Sequence, residues 1–489
     1  MNTVFHFFTR RRAPAAMALL LAGCAVGPDY RRPDPPVADH YLEPRDDARL
    51  RSAALVVPAD IPADWWALFG SPQLDALVRA GLANSPTVAS AQAALRVAIE
   101  NRRAQQGAWL PTAGVSYSAT RQKIADPVAS PLASNAQLFT LDTAQLNVSW
   151  TPDLFGGNRR QVESLQAQAD GQRWTVEATY LTLSSNLVVA AITASGLRAQ
   201  IDATKSLVAS QTDVLQRYRQ LQSLGENSTL DVTQQESQLA TLEASLPPLA
   251  KQLALQRDQI KALAGALPDG AGFDDIPLEQ LKLPEPLPLT LPSTLVDHRP
   301  DVLAAEQQLR SASADIGVAA AARLPDVTLG VNSWGSSALS LAKLFGPGTA
   351  FWTLAGSASQ TLFDGGALKH REDAARAAYD EAAAQYRGTV INAYQNVADA
   401  LQAVHADADA LAANQRAQDA AARTLAIARR QRELGDVSTL AVIAAEQAFQ
   451  QSTLATVQAR VNRLADAAAL LQALGGGWWN RPAVAAAQP

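Results

Sequence analysis

The sequence predicts a mainly α fold with membrane β-strands, internally duplicated, and three observations predict it. Leu224-Gly225-Glu226-Asn227-Ser228-Thr229-Leu230-Asp231-Val232 recurs as Leu434-Gly435-Asp436-Val437-Ser438-Thr439-Leu440-Ala441-Val442, with six of nine positions identical and a shift of 210 residues. Each copy closes a helical pattern with Gly and reopens one at Ser-Thr, so each is the tip of a helical hairpin. The helical patterns leading to the two tips are far longer than a compact globule of this mass needs. Before each of them the period changes from 3.6 to 2, the mark of a strand pair with unlike faces.

Bulk properties narrow the class. A net charge of −5 and a pI near 5.6 carry no basic footprint, which argues against a nucleic-acid partner. Hydrophobic residues make up 48% and aromatics only 6%, a composition suited to helices packed closely along their length. Arg10-Arg11-Arg12, the apolar run Ala13 to Ala22 and Gly23-Cys24 form a secretory signal spanning residues 1–23. The apolar run is about half the ~20 residues of a membrane-spanning helix. Leu21-Ala22-Gly23-Cys24 also resembles the bacterial lipobox, with the chain's single cysteine at the lipidated position. Stable anchoring takes more than one acyl chain, each buried methylene contributing about 0.8 kcal/mol.

Residues 24–62 are rich in proline and charge and are expected to be extended. The first repeat is assigned to 63–267. Helical patterning begins near Trp65-Trp66 and runs to Asn84, and a second helix lies between Ser85-Pro86 and Leu110-Pro111. Strands are expected at about 112–121 and 140–150, from the alternation through Val115 and Tyr117 and through Leu146, Val148 and Trp150. A proline-free stretch from Asn158 to Gln222 then reads as one rod, on the order of 100 Å long at 1.5 Å per residue. The chain returns from Gly225 through Leu242, Leu253 and Ile260, where Pro247-Pro248 is expected to bend or break the helix. A proline-rich linker, 268–292, separates the halves.

The second repeat, 293–475, copies the first. Arg299-Pro300 to Leu324-Pro325 keeps the spacing of 25 found from Pro86 to Pro111. Strands are expected at about 326–334 and 350–360, and Leu362-Phe363-Asp364-Gly365-Gly366 matches Leu154-Phe155-Gly156-Gly157. A long alanine-rich helix from about Ala367 to Arg432 reaches the Gly435 tip and returns to about 475, leaving 476–489 as a tail.

Four alternating strands cannot close a barrel, and an open edge in lipid costs several kcal/mol per unpaired group. Other copies of the chain must then complete the sheet, to an even total divisible by four. A soluble four-stranded sheet would show the same alternation. A membrane helix over Tyr180 to Leu197 is a poor match because Thr182, Ser184, Ser185 and Asn186 interrupt it.

Cys24-Ala25-Val26-Gly27-Pro28-Asp29-Tyr30, Trp65-Trp66, the Phe-Gly-Gly turns and the paired Leu-Gly tips resemble the outer-membrane factor family of TolC-like exit ducts, in its lipoprotein efflux branch (NodT/OprM-type). The resemblance covers the whole chain. It implies a homotrimer whose twelve strands, four per chain, form an outer-membrane β-barrel continuous with a long periplasmic α-helical barrel. A periplasmic adaptor and an inner-membrane pump of the resistance-nodulation-division type would dock at the tips, and drugs or other small molecules would leave through a passive, gated duct. Ala25, where retained lipoproteins carry Asp, implies an outer-membrane destination with lipid on Cys24.

By the same resemblance Leu224, Gly225, Ser228 and Thr229, with Leu434, Gly435, Ser438 and Thr439, are the adaptor-docking positions. Asp231, Glu226 and Asp436 are gate candidates. Ala441 and Ala444 stand where some family members carry a paired aspartate ring, a departure that bears on cation selectivity. No cofactor, catalytic residue or metal site is expected beyond the lipid. The five histidines are scattered, and HExxH, P-loop and GxSxG patterns are absent from the sequence. The alternatives are a periplasmic adaptor, a structural coiled-coil lipoprotein, and the exit duct of type I protein secretion.

Overall fold

The structure is a computed structural model, and it describes residues 25–34, 40–43, 45–46, 55–132, 134–270, 275–289 and 292–481. The signal, the anchor position Cys24 and the end of the tail lie outside the described residues. In chain order the elements are β1 (Val56–Pro58), a 3-10 turn (Trp65–Phe69), α1 (Pro72–Asn84), α2 (Pro86–Gln106), β2 (Thr112–Lys123), β3 (Leu138–Trp150), α3 (Gly157–Ser223) and α4 (Thr229–Leu263). They continue with β4 (Leu287–Leu289), α5 (Pro292–His298), α6 (Pro300–Ala321), β5 (Asp326–Ala338), β6 (Ala350–Ser359), α7 (Ala367–Glu433) and α8 (Thr439–Ala473). From α1 and α5 onward the duplication holds element for element. α3 and α7 are 67 residues each, and α4 and α8 are 35 each.

Three local expectations need correction. Of the bend or break expected at Pro247 and Pro248, the break does not occur, and α4 continues through both. Both prolines, with Glu243 and Ala244 whose carbonyls they deprive of helical partners, lie on the exposed face, where those carbonyls are open to solvent, while Leu242 and Leu253 keep the seam buried. The helix expected from Trp65 to Asn84 is two elements. Gly70 is left-handed at φ +66°, and Ser71 accepts from Leu74 N–H as the cap of α1, with Pro72 behind it. The extended segment and the proline-rich linker each contribute a short strand, and β1 pairs in parallel with β4.

The contacts divide the chain into two compact units. The first comprises the chain to Pro33, Leu95–Gln172 and Ala305–Tyr386. It carries the four long strands in the order β2-β3-β5-β6, all antiparallel. Residues directly opposite share a face, so the register draws rows across the sheet. One row is Val115, Leu146, Trp334 and Trp352; the next is Ala113, Val148, Val331 and Leu354. On the other face Ser116 lies opposite Gln145, and Thr112, Ser149 and Gly330 share a row.

β5 runs four residues beyond its expected end at 334 because its alternation is offset, not finished. The register shifts between Val331 and Ser333 against β6 and between Val331 and Trp334 against β3, and the extra residue returns Trp334 to the face of Leu329 and Val331.

The second unit comprises Asp34–Ala94, Arg173–Ala304 and Arg387–Pro489. Trp65, Phe69, Leu74, Leu187, Ile192, Leu464, Leu470 and Leu471 make its core. Close helix approach rests on small residues. A Cβ on Gly81 would meet Leu187, and one on Gly196 would meet Val461. α3 contains a stretch apolar enough to cross a membrane, but 61% of it is buried within the protein, in keeping with a packed helix.

Two polar groups on α7 and α8 are linked in this unit. Arg463 is buried and donates to Val404 O and to Glu285 Oε1, the latter at 2.7 Å. The Asp407 carboxyl is pushed up to about 6 by burial, then by its hydrogen bond to Asp466 and that residue's charge, with Arg463 opposing. The folded chain therefore holds a proton that the unfolded chain releases. The stability it confers is full below about pH 4 and is lost as the pH rises through 6. Asp407→Asn is expected to gain on the order of 1 kcal/mol at pH 7.5, solvent screening included. Thermal melts should show that gain shrinking to nothing at pH 4.

Candidate functional site: the paired hairpin tips

Both tips are built by the same backbone bonds. At the first, Gly225 N–H donates to Gln222 O and Glu226 N–H to Leu221 O; at the second, Gly435 N–H donates to Arg432 O and Asp436 N–H to Gln431 O. These bonds satisfy the last carbonyls of α3 and α7, and they require the left-handed φ of +78° at Gly225 and +82° at Gly435. A Cβ on either glycine would meet nothing within 4 Å. Conformation, not crowding, selects glycine there.

The restart differs between the copies. Ser228 Oγ accepts from Asp231 N–H at 3.2 Å, and Asp231 Oδ2 accepts from Ser228 N–H at 3.1 Å and from its hydroxyl at 2.8 Å, which completes a capping box. Ser438 caps α8 through Ala441 N–H alone, since Ala441 brings no carboxylate. Asp231, a gate candidate, is thus also a helix cap. Asp231→Ala is expected to cost the first hairpin about 1 kcal/mol. Hydrogen exchange should quicken about fivefold in the first turn of α4 and stay unchanged in α8.

Beneath the tips the 210-residue shift reappears as packing. Leu215, Tyr218 and Val232 form a small core with Leu239 beside them; their counterparts Leu425, Ala428 and Val442 form another with Phe449. Tyr218 with Leu239 becomes Ala428 with Phe449, so the aromatic side chain changes helix between the two copies. Arg219 reaches Glu236 at 2.7 Å, and the counterpart Arg429 reaches Glu446 at 3.0 Å. Each hairpin is therefore clasped across its two helices, and the second clasp is far less exposed because Glu446 is nearly buried.

A cleft of about 690 Å³ lies between the two hairpins. Of the expected site residues, Glu226, Leu434 and Gly435 line it, together with Asp213, Arg217, Tyr218, Asn227, Arg429 and Arg432. Across it Arg432 donates to Asn227 Oδ1 at 3.1 Å, and Arg429 donates to Ser210 Oγ at 3.4 Å. These bonds tie the second hairpin to the first. Leu224, Ser228, Asp231, Asp436 and Ser438 lie outside the cleft lining, and the backbone of Thr439 opens α8. Leu224, Leu230, Leu434 and Leu440 are exposed at equivalent places, an apolar pair on each tip. Among the described residues no group of three or more His, Cys, Asp or Glu side chains could hold a metal ion.

Asn227, Arg429, Arg432 and Glu446 were not among the expected site residues. Arginines in the last turns of a helix read as ordinary dipole partners. The clasps were nevertheless within reach, because the same shift that maps Gly225 onto Gly435 maps Arg219 onto Arg429 and Glu236 onto Glu446.

Comparison with known proteins follows the duplication. The family described as outer membrane efflux protein matches residues 77–266 and again 291–476. The toluene efflux pump outer membrane protein TtgF of Pseudomonas putida is 28% identical over 475 residues, 95% of this chain and 96% of that one. The pyoverdine export outer membrane protein OpmQ of Pseudomonas aeruginosa is 29% identical over 421 residues, 85% and 87% of the two chains. Among solved structures, the outer-membrane channel OprN superposes with a TM-score of 0.85 at 28% identity, covering 93% of this chain and all of that one. The open MtrE outer membrane channel of Neisseria gonorrhoeae reaches 0.82 at 23% identity, covering 93% and 99%, a likeness of fold.

Proposed function

The chain belongs to the outer membrane efflux protein family, and from that premise we propose that three copies close into one duct, held by lipid on Cys24 and served by a periplasmic adaptor and an inner-membrane pump. It is an efflux channel component of the outer membrane, with the fold of the TolC-like channels. The pump, of the resistance-nodulation-division type, supplies the energy. The duct itself catalyses nothing and needs no cofactor beyond its anchor.

One observation carries the trimer. The apolar rows cross all four strands and stop at β2 and β6, which end the sheet. Within lipid those two edges must pair, and since no further strand of that length occurs among the described residues, sister chains supply the partners. Three copies supply the twelve strands of the channels it resembles. Relatives named for toluene efflux, antibiotic efflux and pyoverdine export point to small molecules as cargo.

The test is expression in a strain lacking its own duct. An outer-membrane trimer that falls to monomer on heating, with restored resistance to toluene or antibiotics, is the expected result. A chain recovered only as a soluble monomer ends the reading.

The tips are the adaptor-docking surface, supported by the exposed apolar pairs and by the open space around Gly225 and Gly435. Aspartate tolerates the left-handed conformation, so Gly225→Asp or Gly435→Asp should cost only about 1–2 kcal/mol in backbone strain. Export is expected to fall at least tenfold with trimer yield intact. Full resistance in either variant would remove docking from that tip. Asp231, Glu226 and Asp436 make the entrance negative and so favour cations. Asp231→Asn keeps a capping oxygen while removing charge, and unchanged ion preference in single-channel recordings would leave Asp231 a cap alone.

A further inference from the structure

The described chain begins at Ala25, and its first residues are held in a way that the second repeat does not reproduce. Val26 N–H donates to Phe155 O at 3.1 Å, and Ala25 sits against Gly156 so closely that a Cβ there would lie 2.7 Å away. Arg160, in the first turn of α3, has only 6% of its side chain exposed. It donates from Nε to Val26 O at 3.3 Å, and from Nη2 to Gly27 O at 3.3 Å and to Asp29 Oδ1 at 2.9 Å, while Nη1 meets Glu163. Gly27, at φ +101°, lies against Gly317 of α6, where an added Cβ would come within 2.5 Å of the Gly317 Cα. Farther along, Tyr30 and Arg32 both reach Glu306 of α6. From Gly317 to Glu306 is three helical turns, about 16 Å, which an extended chain covers in about five residues.

A buried guanidinium that spends donors on two consecutive carbonyls reads backbone shape, and the three close glycine contacts admit no side chain. The duplication supplies a control. Gly157 corresponds to Gly366, so Arg160 corresponds to Lys369, which is exposed; Pro325 corresponds to Pro111, so Gly317 corresponds to Arg103, whose side chain is also exposed. The fold offers this groove once per chain.

We propose that Arg160, Gly156 and Gly317 form a receiving groove for the chain's own processed amino terminus, which seats the segment after Cys24 at the foot of the first strand pair. Arg160 is its positioning residue. Ala25 and Val26, the residues that follow the anchor position, are then held in fixed register with the turn after β3. What Cys24 carries rests on the lipoprotein reading, but the docking does not.

Trypsin tests this, because Arg31 lies in the strap and cleavage after it frees Cys24–Arg31. The full chain, assembled in the outer membrane and extracted in mild detergent, is digested and the peptide followed by mass spectrometry. Arg160→Ala and Gly27→Val are each expected to quicken its release at least tenfold while the assembled duct keeps its mobility. Release from Gly27→Val at the wild-type rate overturns the proposal, and that variant decides alone if Arg160→Ala does not assemble. A wild-type peptide with the mass of bare Cys24–Arg31 would refute the lipid on Cys24, and the ratio of release rates would still judge the groove.

Discussion

Arginine in place of Leu146 or Val148 is expected to destabilise the barrel by putting a cation on the apolar face of the sheet, a cost that reaches about 2–4 kcal/mol at a bilayer midplane and falls toward the interfaces. Both residues lie in central strand β3, within the rows that join Val115 to Trp352 and Ala113 to Leu354. The outer-membrane trimer should be nearly lost. Gln145→Arg and Asn147→Arg, one pleat away on the opposite face, should leave it assembled, since a water-lined lumen accepts charge. Heat-modifiable mobility of the four variants is the measurement. Equal losses from both faces would mean that the sheet is not one wall of a lipid-facing barrel.

Arg463→Ala is expected to cost about 3 kcal/mol or more, with the second unit melting early. With 1% of its side chain exposed, Arg463 is among the largest fully buried residues, and it answers the Val404 carbonyl and the Glu285 carboxylate together. Truncation orphans the carbonyl, leaves a cavity along the stem and removes the positive charge that opposes proton uptake at Asp407. Glu285 is half exposed and rehydrates, which holds the cost below that of a fully buried broken pair. Urea unfolding followed by tryptophan fluorescence reports it. A midpoint equal to wild type would show that the pair is ornamental to stability. Arg463→Lys keeps the charge but not the fork, and should recover only part of the loss.

Much of the tip was legible before any coordinates. Gly225 and Gly435 are readable because a left-handed residue must follow a helix that closes in this way, and Ser228 and Ser438 because a cap must precede the next one. Pro247 and Pro248 misled for an instructive reason. Proline always removes a helical bond, but whether the helix breaks depends on whether water reaches the carbonyls it frees, and that is a matter of which face the residues occupy. β1 and β4 were missed because three residues hold no period. Asn332 lies where β5 shifts register, and the apparent end of alternation there was a change of parity within a continuing strand.

The sequence by itself determined the duplication, the two long hairpins and the strand count, because periodicity, caps and spacing are local properties that recur along the chain; the family it reached through the resemblance of its short motifs. Only the tertiary structure decided which side chains meet across elements. Arg432 with Asn227, Arg463 with Val404, and Arg160 with the strap at Val26 and Gly27 are pairings of residues far apart in sequence. Their contact depends on the rotation and register of packed helices, and those are set by the summed packing of the unit, which no short stretch of residues encodes.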